Sequence, residues 1–149
     1  MGDFLVYGFD NERRSSTVSM DLVKTIIDWA ILVVVWLVQL AVYPGFCRIE
    51  KSRFVTWHSR YLRLMGYLVG PLMIGQLAFA VWNVFMARHW ISAETLYLGL
   101  VALTWIATFR MVVPIHDKLQ SRGNESKFVR QLVWANWPRT VLWSVIVIV

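Results

Sequence analysis

Apolar residues fall into four long blocks, and each block stops or bends at one of the four prolines. The first covers about 23–43 and ends at Pro44-Gly45. A second, about 62–87, is interrupted by Gly70-Pro71. The third, about 95–113, ends at Pro114, and the last, about 128–149, carries Pro138 within it. A hydrocarbon core about 30 Å thick takes about 20 helical residues, so each block is long enough to cross one. In lipid every backbone donor and acceptor needs a partner within its own segment, which predicts helices throughout. The expected fold is an all-α integral membrane four-helix bundle over residues 23–149, preceded by a polar N-terminal tail, 1–22.

Composition supports the membrane class. The 149 residues are 58% hydrophobic and 16% charged, against about 45–50% and about 25% in soluble domains. The single cysteine, Cys47, excludes an intrachain disulfide, and no Cys/His spacing suggests a metal site. No cleavable signal peptide is expected from the N-terminus.

The net charge of +6 is explained by basic loops on one membrane face, so no nucleic-acid partner is expected. The Gly45–Arg63 loop holds Arg48, Lys51, Arg53, Arg60 and Arg63, and the Pro114–Lys127 loop holds Lys118, Arg122 and Lys127. On the other face Arg13, Arg14 and Lys24 are offset by Asp3, Asp10, Glu12 and Asp21, with Arg88 alone in the short loop. The positive-inside rule then puts both basic loops in the cytoplasm, against anionic headgroups, and both termini outside. Gly66 and Gly70, with Gly99 and Ala102, predict close helix–helix approach. Asp28 reads as a carboxylate near a helix N-terminus, where the dipole favours it.

The last block contains side chains that lipid tolerates poorly. Asn136 lies about 12 Å and Arg139 about 16 Å along a helix that starts at Phe128. An arginine near the bilayer centre costs about 2.5–3.5 kcal/mol. Asn136, Arg139, Thr140 and Trp143 are three or four residues apart and share one face, which predicts that this face turns inward. Gln39, Tyr43, His58, Tyr61, Arg110 and His116 fall at similar depths on the other helices. Together with Asn136 and Arg139 they form the expected ligand-binding set, while Gln76 lies deeper.

These residues also carry a resemblance. Gln39 with Tyr43-Pro44, Phe54 with His58, Gly70-Pro71 with Met73, Val113-Pro114 with His116, and Asn136-Trp137, Arg139-Thr140 and Trp143 resemble the pattern of an uncharacterised family of four-span bacterial inner-membrane proteins. That likeness implies a multi-pass protein of the bacterial cytoplasmic membrane. More distantly, the chain is similar to anthrone oxygenase-like membrane proteins. It departs from the family pattern at Tyr61, where a second histidine is frequent, and at Gln76, where a glutamate is.

Several functions fit this pattern. The cluster can hold the polar head of a lipid-soluble small molecule, such as a quinone, an aromatic metabolite or a lipid. The chain can equally serve as an accessory subunit of a larger membrane complex, with Phe4, Leu5, Tyr7 and Phe9 of the tail as a docking surface. A cofactor-independent oxygenase would use His58 or His116 as its base, so the question of catalysis stays open. No cofactor is expected. Haem b is a minor option, because His58 and His116 come from different helices and could supply two axial ligands.

Overall fold

The computed structural model describes residues 3–87 and 91–149, with side chains from Met20 onward within those ranges. The described residues are helical apart from short connections and contain no strand. Helix α1 (Asp3–Leu37) passes through a π turn (Val38–Val42) into the short α2 (Tyr43–Gly45) and a 3₁₀ turn (Phe46–Arg48), making one rod. The second rod is α3 (Lys51–Met86). The third joins α4 (Ala93–Ala107) through another π turn (Thr108–Val112) to α5 (Val113–Arg122), and the fourth is α6 (Ser126–Ile146).

Two helices begin well before their apolar blocks. The backbone of residues 3–22 belongs to α1, and α3 opens at Lys51, so most of the expected Gly45–Arg63 loop is helical. Hydropathy marks how deep a segment can sit, whereas helicity follows backbone preference, and Lys, Arg, Leu and Met all favour the helix. The tail residues Phe4, Leu5, Tyr7 and Phe9 have side chains outside the described residues, as do Arg13, Arg14 and Arg88.

Pro44 and Pro114 were expected to end their helices and do not. A proline cannot donate to the carbonyl four residues back, and its ring crowds that carbonyl. Here the turn before each proline is widened instead. The Tyr43 N–H reaches the Val38 carbonyl, and the Val113 N–H reaches that of Thr108, each five residues back. The same solution therefore occurs twice, once in each of the rods that lead toward the basic connections. π turns of this kind often stand at functional sites. The third rod finally stops at Gly123, whose φ of +79° suits a residue without Cβ and whose N–H closes on the Leu119 carbonyl at 2.9 Å.

The first rod packs against α3 and α6, and α4 packs against the same two partners, so the four rods close a ring. Their apolar residues form two clusters. One surrounds Phe46, Phe54, Ile115, Leu119 and Leu132 near the basic end, and the other surrounds Ile31, Met73, Val101, Trp143 and Ile146. Asn124 braces the basic end, donating to the carbonyls of Phe46 at 2.8 Å and Ile49 at 2.7 Å.

Among the described residues three stretches are long and apolar enough to cross a membrane, Met20–Arg48, Lys51–Met86 and Ala93–Arg122, and α6, expected as a fourth span, is not one of them. Their outward faces are apolar, with Val33, Leu40, Leu64, Phe85 and Ile106 all exposed. That arrangement fits a membrane protein, since an apolar solvent asks for no polar coat. α6 carries Arg130, Asn136 and Arg139 among its apolar residues and is the least lipid-like of the four rods.

Candidate functional site

On α6 the spacing of three and four residues puts Asn136, Arg139, Thr140 and Trp143 on the inward face, and all four are buried, while Trp134 and Val141 face out. Gln39 meets this face from the first π turn. Its amide nitrogen donates to the Val133 carbonyl at 3.1 Å, and its oxygen accepts from Asn136 Nδ2 at 2.8 Å. Asn136 Oδ1 in turn accepts from Arg139 Nη1 at 2.9 Å. Each amide is thus used on both sides, and the network fixes one rotamer for each member.

Arg139 itself is poorly partnered. It is 8% exposed, its guanidinium lies 5.0 Å from the Trp143 ring, and Nε is buried without a hydrogen-bond partner among the described residues. Among the described residues no carboxylate lies within salt-bridge distance of it.

The histidines form the other half of the site. His58, fully buried at 0% exposure, and His116 hydrogen-bond through Nε2 and Nδ1 at 3.0 Å. The Tyr43 hydroxyl reaches His116 Nε2 at 3.1 Å, and Gln120 Oε1 reaches His58 Nδ1 at 2.7 Å. Phe46 packs edge-on against both imidazoles, and Phe54 stacks on His58. The two imidazoles thus bond to each other directly.

A cavity of about 340 Å³ joins the two halves. It is lined mostly by apolar residues of α1, α3 and the second π turn, with Arg139, Asn136, Tyr43 and His116 at its polar places. The size falls at the lower end of small-molecule sites, about 300–1,000 Å³. Trp105 also lines it, and its indole Nε1 is buried without an acceptor among the described residues. Two unsatisfied donors, on Trp105 and Arg139, therefore border one apolar chamber.

Seven of the eight expected residues come together here. Gln39, Tyr43, His58, His116, Asn136 and Arg139 are joined in the two networks, and Tyr61 lines the cavity with its ring 6.3 Å from that of His116. Arg110 does not join them. It is exposed and borders a separate groove with Lys118 and Trp134, because six helical residues, one of them gained in a π turn, carry it to the side opposite His116.

The glycines also behave differently from expectation. A Cβ placed on Gly66, Gly70 or Gly99 would meet nothing within 4 Å, so none of them mediates close packing. Gly66 and Gly70 instead line the cavity, beside exposed Ile74 and Phe109 at its rim. The close approach is at Gly75, where a Cβ would lie 3.6 Å from Ile27.

Asp28 was expected near a helix start, but α1 begins at Asp3 and places it far along the rod. Only 2% exposed, it accepts from Gln76 Nε2 at 2.6 Å, Tyr97 Oη at 2.8 Å and Lys24 Nζ at 3.1 Å. Gln76 then takes the Trp143 indole N–H at 3.4 Å. Sequence reasoning missed this network and missed Gln120 as the partner of His58. Gln120 stands four residues after His116 on the same helix face, and that spacing was the available signal.

No protein family, curated protein or solved structure matches this chain.

Proposed function

We propose that this chain is a four-helix membrane bundle that binds a lipid-soluble small molecule carrying an oxygen-bearing polar head. The apolar body of that molecule would occupy the cavity, and its head would accept hydrogen bonds from Arg139 and Trp105. One observation carries the reading: a buried arginine with an orphaned Nε, lacking a carboxylate partner among the described residues, borders a mostly apolar chamber. A buried cation needs a counter-charge or full hydrogen bonding to be tolerated. A carbonyl or oxyanion on a ligand supplies it. Asn136 and, through it, Gln39 hold Arg139 in one arrangement, so the ligand meets a preorganised site.

Positive-inside reasoning argues for basic connections in the cytoplasm and both termini outside, in a bacterial inner membrane. The test is native mass spectrometry of gently extracted protein, wild type against Arg139→Met. A small molecule retained by the wild type and missing from a folded Arg139→Met protein supports binding at this arginine. Equal retention by both removes Arg139 from the site.

A further inference from the structure

The hydrogen bonds that run away from the cavity have a definite direction. Gln120 Nε2 faces the Val55 carbonyl at 3.3 Å and Ser59 Oγ at 2.7 Å. The Ser59 hydroxyl already donates to that same carbonyl at 2.8 Å, so both groups can only accept from Gln120. The amide nitrogen therefore points at them, and Oε1 points at His58 Nδ1. A carboxamide oxygen only accepts, so His58 Nδ1 carries a proton. In a neutral imidazole the other nitrogen is then a bare acceptor, and His116 Nδ1–H must donate to His58 Nε2. His116 Nε2 is left bare in turn and accepts the Tyr43 hydroxyl proton. Every link points the same way, from the cavity toward Gln120 and the partly exposed Ser59. The remaining lone pair on the Tyr43 oxygen lies among Arg139 and Tyr61, which stand beside that hydroxyl and line the chamber with it.

We propose that Tyr43, His116 and His58 take up the proton of a hydroxyl bound in the cavity, and that the ligand is a weakly acidic apolar compound, a phenol or hydroquinone, held there as its anion. This rests on the binding reading given above and names the class of molecule. The ligand O–H bond breaks, and its electron pair stays on the oxygen that Arg139 faces. The proton joins the Tyr43 oxygen as the original Tyr43 proton passes to His116 Nε2. His116 then releases its Nδ1 proton to His58 Nε2, and nothing is oxidised or reduced. The product is a ligand anion and a His58 imidazolium, with every hydrogen bond kept and its direction reversed between Tyr43 and His58. Tyr43 ends by donating to the anion it created. Phe46 and Phe54, packed on the imidazoles, hold the rings in line for the transfer.

An alkylated 4-nitrophenol is a suitable probe, because its anion absorbs visible light and its neutral form does not. It would be added at saturation to the full-length protein in nanodiscs, at fixed pH, with bound probe counted separately by filtration. The bound anion-to-neutral ratio is expected to rise at least about tenfold over empty nanodiscs, the equivalent of one pKa unit. Tyr43→Phe is expected to return the ratio of bound probe to that of lipid alone, and His58→Gln to give a smaller loss, since His116 can still hold the proton. A ratio that stays high in Tyr43→Phe overturns the relay and assigns ionisation to Arg139 alone. Bound probe that stays neutral in the wild type also overturns it, yet leaves the binding reading intact. Failure of the probe to bind, while another apolar ligand co-purifies with the protein, overturns the ligand class. Absence of any bound molecule counts against the binding reading itself.

Discussion

At the scale of single residues, Arg139 sets two costs against each other. An arginine in mid-bilayer costs about 2.5–3.5 kcal/mol. Removing it leaves Asn136 Oδ1 without its donor, at about 1–3 kcal/mol. Arg139→Met should therefore leave the ligand-free protein about as stable as the wild type or up to about 2.5 kcal/mol more stable, while bound ligand disappears. Unfolding in mixed micelles, followed by tryptophan fluorescence, measures the first quantity. A loss of several kcal/mol would make the arginine a structural brace. Asp28 behaves in the opposite manner, because three donors from three rods converge on it. Asp28→Ala orphans Gln76 and Tyr97 and should cost about 3 kcal/mol or more in the same assay. Asp28→Asn, which keeps an acceptor oxygen, should cost less.

Among the elements, the π turns and the glycines shape the chamber. The widened turns keep the first and third rods continuous past Pro44 and Pro114, and the first of them brings Gln39 and Tyr43 onto one buried face. A Cβ at Gly66 meets nothing within 4 Å, and replacing the glycine gains helix propensity worth about 0.5–1 kcal/mol. Gly66→Leu should leave the protein as stable or slightly more so, and should slow ligand entry by narrowing the rim. Stopped-flow binding of a fluorescent apolar probe reads that rate. An unchanged on-rate would place the entrance elsewhere. The four apolar blocks, and the inward face of Asn136, Arg139, Thr140 and Trp143, were legible because hydropathy and helical periodicity are local properties. The start of α3 at Lys51 was not, since a polar helix extending beyond its apolar block has no hydropathy signal. Arg110 was misplaced for a related reason. Depth can be counted along a chain, but its azimuth changes by a residue's worth of rotation wherever a π turn intervenes. The glycine spacing was ambiguous too, because an i, i+4 pair of small residues serves equally to admit another helix or to leave a gap.

For the whole molecule, two networks divide the labour. The Asp28 set ties α1, α3 and α4 together away from the basic end, and Gln76 links it to Trp143 of α6. The Arg139 and histidine sets border the chamber nearer the basic end, and two of the residues lining it, Arg139 and Trp105, carry donors without a partner among the described residues. Stability is concentrated where hydrogen bonding is complete, and binding where it is not. That division makes occupancy of the chamber the central claim. The most direct measurement is a high-resolution density map of the protein purified from its native membrane. The account predicts an elongated feature in the chamber, with an acceptor atom within hydrogen-bonding distance of Arg139 Nε. A chamber that is empty, or threaded by an acyl chain whose polar head lies elsewhere while Arg139 stays unpartnered, would contradict it.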